Sequence, residues 1–218
     1  MAKIIIFGIN DFAELAHFYL CDDSNHNVIA FAINKEFKGT KTEFKGLPIV
    51  DFELVECIYP PDEYSFFAPM APNRMNRTRE SIYSIIKEKG YNFISYISSK
   101  ATVFSDEIGE NCFILEDNTI QPFTKIGDNV VLWSGNHIGH HSVIKNHVTF
   151  TSHVVLSGHC EINEYCLLGV NSTIRDGVTL AEGTFVAMAT SIVNDTEPWS
   201  FYKGNPVVKS EKSSKSFK

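Results

Sequence analysis

A large apolar side chain recurs at every sixth position from Ile108 to Ile192: Ile108, Ile114, Ile120, Ile126, Leu132, Ile138, Ile144, Phe150, Leu156, Ile162, Leu168, Ile174, Leu180, Val186 and Ile192. Four residues after each comes a small or modest one, from Cys112 and Asn118 through Cys160 and Cys166 to Thr196. No α-helix or ordinary strand repeats at six, so the two columns predict a hexapeptide-repeat β-helix. Three short strands and their turns consume 18 residues per coil. Residues 18 apart should therefore lie one above the other, separated by roughly the 4.8 Å of strand pairing. Fifteen hexads without insertion predict about five coils and no long loop. One step back from Ile108 stands Thr102, which is not large and apolar, so the repeat is expected to begin between those two positions.

The chain ahead of the repeat has a different rhythm. Lys3 to Phe7 is a short apolar run ending at Gly8, and the helical pattern Phe12, Leu15, Ala16, Tyr19 follows, which reads as strand, tight turn, helix. Further β runs at Val28–Ile33 and Tyr64–Ala68, a turn-rich stretch with Gly39 and Gly46-Leu47-Pro48, and a helix from about Thr78 to Lys89 complete a small βαβ unit. Gly90 marks the end of that helix, and Phe93–Ile97 reads as a connecting strand before the Ser98-Ser99-Lys100 link. The expected fold class is α/β plus all-β: a small N-terminal βαβ Rossmann-like domain (1–97), then a left-handed parallel β-helix (98–197), then a cap and polar tail (198–218). Trp199, Phe201 and Tyr202 are expected to cover the open end of the stack. Lys209 to Lys218 reads as a solvated tail.

Composition narrows the possibilities only a little. A net charge of -7 disfavours a nucleic-acid binder. Five cysteines, three of them in the small inward column, argue for packed, reduced thiols and a cytoplasmic protein. No apolar stretch approaches the ~18 residues of a membrane span, and Met1-Ala2-Lys3 runs straight into a strand pattern.

Candidate chemistry concentrates in the solenoid. Six of eight histidines lie between 137 and 159. His137, His147 and His153 read as exposed turn residues. His140 and His141 differ, because adding 18 puts Gly158 beside His140 and His159 beside His141. A neutral imidazole close to a backbone N–H that no side chain shields is a base and oxyanion donor suited to acyl transfer. Cys160, as a member of the inward column, makes a poor covalent nucleophile.

The strand-turn-helix opening, the Gly46-Leu47-Pro48 segment and the repeat Ile138-Gly139-His140-His141-Ser142-Val143-Ile144 resemble the sugar acyltransferases of the sialic-acid O-acetyltransferase and bacillosamine-pathway N-acetyltransferase type. The resemblance implies an acetyl-CoA-dependent N-acetyltransferase on a nucleotide-linked amino-dideoxy sugar, serving surface-glycan and lipopolysaccharide synthesis, with sugar O-acetylation as the alternative. His140 matches that family's general base, with His141 the second candidate for that role, and Gly158 matches its N–H donor to the thioester oxygen. His141 stands where the family commonly has Asp or Glu, which leaves open whether Glu161, Asn136 or a neighbouring subunit orients His140. The resemblance also implies coenzyme contacts at Gly158, His159, Ala187 and Lys203. In the front domain it implies substrate contacts at Gly8, Asn10, Asn34 and Arg74, with Arg77 a further candidate for pyrophosphate. Asn10 replaces the family's second glycine and is suited to cap the helix instead. A homotrimer is expected, with no metal. A zinc enzyme of the γ-carbonic-anhydrase kind needs a pair of histidines about five residues apart, and no two here have that spacing. A non-catalytic solenoid is the remaining alternative.

Overall fold

A computed structural model describes residues 2–204; Pro206 and the Lys209–Lys218 tail lie outside them. The front of the chain builds β1 (Lys3–Phe7), α1 (Asp11–Asp22), β2 (Asn27–Ile33), a short α2 (Lys35–Lys38), β3 (Glu43–Phe44), β4 (Leu47–Asp51), α3 (Val55–Ile58), β5 (Tyr64–Phe67), α4 (Arg77–Glu88) and β6 (Asn92–Phe93). Its sheet runs β3-β4-β2-β1-β5-β6, parallel throughout except for the β3–β4 pair. Ile4, Ile5 and Ile6 are fully buried because helices and loops cover both faces of β1, which is why this strand reads as a continuous apolar run. Gly46, at φ 80, makes the turn from β3 into β4, so the turn-rich stretch contains a strand as well. Gly90, at φ 86, ends α4 in the left-handed conformation that favours glycine.

The solenoid has three parallel walls of two-residue strands. Six strands form one face, from β8 (Thr102–Val103) to Ser191–Ile192; four form the second, from Lys125–Ile126 to Thr179–Leu180; seven form the third, from β7 (Tyr96–Ile97) to Phe201–Tyr202. Pairs such as Thr119↔His137, Ile120↔Ile138 and Ile138↔Leu156 keep the 18-residue step. The six-residue column and its small companion fill the interior, from Cys112 and Ile114 to Ile192. Parallel sheets and hexapeptide repeats of this kind fit a left-handed β-helix.

Both ends of the solenoid depart from the strict ruler. Thr102 pairs with Thr119 and Tyr96 with Phe113, a 17-residue step, so Val103 takes the inward place. One residue is missing between Val103 and Ile108, and that missing residue hides the first coil from a period-six count. The run Phe93–Ile97 accordingly divides: Phe93 closes the front sheet as part of β6, while Tyr96 and Ile97 open a solenoid wall. At the other end Phe201–Tyr202 pairs with Phe185–Val186 after a 16-residue step, and Tyr202 packs on the core. The aromatic segment thus extends one wall, and Trp199 lies against Gly183, with Tyr165 stacked at 5.8 Å.

Front unit and solenoid share one interface. Ile4, Ile6 and Phe31 belong to the same buried cluster as Phe113, Leu115 and Val131. No helix among the described residues is long and apolar enough to cross a membrane.

Candidate active site

From Asn111 to Ala189 each solenoid corner is a tight turn whose last residue adopts positive φ, and the sequence stacks these residues in columns. One column runs Phe123 (φ 66), His141 (φ 57), His159 (φ 55), Gly177 (φ 72). Repeated backbone geometry sends the side chains out in parallel. The rings of His141 and His159 stack with centroids 5.0 Å apart at 17°, and Phe123 lies 4.7 Å below His141. His140, one residue earlier, meets both imidazoles edge-on, at 5.2 Å to His141 and 5.0 Å to His159. All three histidines are exposed.

The ring of His140 is held at Nδ1 by Nδ1 of His141, 3.1 Å away. One of those nitrogens must carry the proton. With the proton on His140, Nδ1–H donates to His141 and Nε2 is left as the acceptor. In that tautomer His141 is the acceptor that fixes the His140 ring. Glu161, considered for that part on sequence grounds, instead pairs with Lys145 at 3.1 Å, and Asn136 bonds within the interior asparagine ladder.

Gly158 lies directly beyond the ring. A Cβ on Gly158 would stand 2.8 Å from His140 Cε1 and 3.0 Å from Nε2, with Asp176 Oδ1 at 3.1 Å on the next coil. The N–H of His140 donates to the side chain of Gln121, 19 residues earlier, at 2.9 Å. The residue 19 before Gly158 is Gly139, which has no side chain to offer, and the N–H of Gly158 takes no acceptor among the described residues. The unpaired Gly158 amide and His140 Nε2 thus belong to neighbouring groups at one corner, with no side chain at 139 or 158. Cys160 is buried, its thiol directed at the Arg175 carbonyl, and burial pushes its pKa up, which disfavours a thiolate.

The other sequence-derived residues fall into two further groups. Ala187 N–H donates to the Tyr202 carbonyl, which puts Lys203 next above Ala187 on the edge between the seven- and six-stranded walls. Ala187 there lines an apolar groove with Thr151, Leu167, Val170, Phe185 and Met188. His140 sits on a different edge, between the six- and four-stranded walls. Gly8 (φ 108) and Asn34 stand at the carboxyl ends of β1 and β2, and Arg74 in the loop after β5, so all three share the carboxyl edge of the parallel sheet. Asn10 caps α1, its side chain accepting from Ala13 N–H at 3.3 Å. Arg77 lies over the Trp199 ring at 4.9 Å, committed to the solenoid end.

His147 is a correction. It is not an exposed turn residue but buried, accepting at Nδ1 from the Asn129 amide at 2.9 Å and stacked under Tyr165. The polar front-to-solenoid contact around it also contains Arg79, which sequence reading did not single out. Phe123, Gln121 and Asp176 were missed at the site itself, although one 18- or 19-residue step back, or two steps forward, leads to each.

Residues 107–139 and 123–158 match the family model described as bacterial transferase hexapeptide (six repeats). No curated protein matches the chain. Among solved structures, a variant of perosamine N-acetyltransferase from Caulobacter crescentus, in complex with CoA and GDP-perosamine, is similar over 92% of this chain and 93% of its own, with TM-score 0.78 and 19% identity. The acetyltransferase domain of PglB from Neisseria gonorrhoeae FA1090 covers 94% and 98%, with TM-score 0.79 and 19% identity. WeeI from Acinetobacter baumannii AYE covers 94% and 98%, with TM-score 0.77 and 20% identity. The chain has the fold of the hexapeptide-repeat sugar acetyltransferases over nearly its whole described length.

Proposed function

We propose that the protein is an acetyl-CoA-dependent N-acetyltransferase acting on the amino group of a nucleotide-linked amino-dideoxy sugar, in the cytoplasm, for surface-glycan synthesis. The observation that carries this reading is that His140 Nε2 lies beside Gly158 at a space no side chain fills, while the Gly158 N–H takes no acceptor among the described residues. Perosamine N-acetyltransferase, with CoA and GDP-perosamine bound on a similar fold, supports the choice of substrates.

The sugar amine attacks the thioester carbonyl of acetyl-CoA, and the carbonyl oxygen gains negative charge that the Gly158 N–H stabilises. His140 Nε2 takes the proton from the attacking nitrogen as the C–N bond forms. The C–S bond then breaks, and the proton passes to the departing sulfur, which regenerates neutral His140 and leaves amide and CoA thiol. His141, holding Nδ1, keeps Nε2 aimed at this space. His159 and the Ala187–Lys203 edge serve the coenzyme. The front unit, which ends with β6 at Phe93 and not at Ile97, is the nucleotide-sugar domain, with Gly8, Asn10, Asn34 and Arg74 at its carboxyl edge.

The test is a panel of nucleotide amino sugars with acetyl-CoA, following thiol release by the full chain and by His140→Ala. At least one sugar should turn over, and His140→Ala should lower kcat by about 10²- to 10⁴-fold. Near-full activity in His140→Ala would overturn the base assignment, and no activity with any sugar would overturn the substrate class.

A further inference from the structure

His140, His141 and His159 each present a ring nitrogen, and the three atoms lie within 4.8 Å of one another. From this convergence we infer a binding site for a borderline divalent cation of the zinc kind, which acts as a reversible inhibitor and not as a resident cofactor. The inhibitory half of the inference rests on the proposed role of His140; the binding half does not.

The donor set favours zinc, nickel or copper over magnesium or calcium, because neutral imidazole nitrogens suit borderline ions and no carboxylate belongs to the triad. Three protein nitrogens with an open fourth position is a common zinc arrangement. Tetrahedral Zn–N bonds of ~2.0–2.1 Å require the nitrogens to stand roughly 3.4 Å apart. The two Nδ1 atoms of His140 and His141 already stand 3.1 Å apart, and all three side chains are exposed. The two left-handed corners at His141 and His159 hold their Cα atoms in one column, so only side-chain torsions need change. A cation bound at Nδ1 replaces the hydrogen bond between His140 and His141 and leaves the ring proton on Nε2, so that nitrogen no longer accepts.

Zinc chloride titrated calorimetrically into the full chain, with no acetyl donor present, reads the site directly. About one zinc should bind per chain, and His159→Phe, which keeps a ring stacked on His141, should weaken binding at least about tenfold. His153→Ala, on another corner, should bind as the parent does. Absence of zinc binding, or equal binding by a His159→Phe chain of unchanged circular dichroism, overturns the site. In the transfer assay, the same zinc concentrations should suppress thiol release and a chelator should restore it. Zinc held by the triad without any effect on an active enzyme overturns the inhibitory role. Zinc held by a chain that acetylates no sugar leaves the site standing and removes the proposed function instead.

Discussion

At the scale of single residues, Gly158 is the glycine whose missing side chain faces His140. Its own φ needs no glycine, yet an added methyl would lie 2.8 Å from His140 Cε1. Either the ring moves or the turn does. Gly158→Ala is expected to lower kcat at least about tenfold with little loss of thermal stability, because the displaced ring is exposed and the methyl meets the edge of the proposed base, not core. An unchanged kcat would mean that the ring has another working position. His147 makes a contrasting prediction from burial. Burial, its largest cause, lowers its pKa from the ordinary 6.5. The unfolded chain therefore takes up the proton first as pH falls, and stability present above 6.5 declines below it. His147→Asn continues the Asn111–Asn129 column and removes the titrating group. Urea midpoints at pH 7.5 and 5.5 should fall further for the parent than for His147→Asn, and parallel declines would refute the assignment. The 18-residue ruler made the His140–Gly158 pairing legible from sequence. It gave no account of His147, because which corner the front unit covers depends on packing between units and not on the hexad.

At the scale of elements, α4 is fastened to the solenoid by Arg79, which is fully buried without a carboxylate partner. Its Nε and Nη2 both donate to the Asn129 carbonyl, Nη2 also to Val148, and Nη1 to Met70 and to Thr149 Oγ1, at 3.0–3.2 Å. Burial draws its pKa down to about 9, so the charge persists at neutral pH and is dispersed over carbonyl dipoles. Asn76, at the start of α4, continues the seam by donating to the carbonyls of Tyr165 and Cys166 and accepting from Thr149 Oγ1 at 2.7 Å. Arg79→Met keeps the stem and leaves these buried acceptors unpaired, so it should cost about 3 kcal/mol or more. Arg79→Lys, with three donors on one point, should recover only part of this. Denaturant unfolding measures both, and a loss below about 1 kcal/mol for Met would show that apolar contact alone joins the two units. The helix itself was readable from its apolar spacing, but the inward role of Arg79 was not. An arginine on a helix reads as solvated until the neighbouring carbonyls are known. The same limit hid the first coil: one missing residue before Ile108 shifts Val103 out of the six-residue count without changing its inward direction.

At the scale of the whole molecule, the proposed functional residues are divided between two edges of one prism. His140, His141, Gly158 and His159 occupy the edge after the six-stranded wall, whereas Ala187 and Lys203 occupy the edge before it. A cyclic trimer would set the first edge of one copy against the second edge of the next, so that each coenzyme site draws on two chains. This arrangement can be tested by mixing two inactive variants. His140→Ala removes the base from one edge, and Ala187→Trp fills the groove on the other. Neither homo-oligomer should transfer acetyl groups. In oligomers reassembled from equal amounts of both, an interface is intact when the Trp variant supplies the histidine edge and the His140→Ala variant supplies the groove. Random assembly produces that combination at about one interface in four, so roughly a quarter of parental activity should return. If base and coenzyme groove serve one another within a chain, every site keeps a lesion and activity stays at the level of the separate variants. The amount recovered therefore measures how the edges are shared, and does so without presupposing which sugar is acetylated.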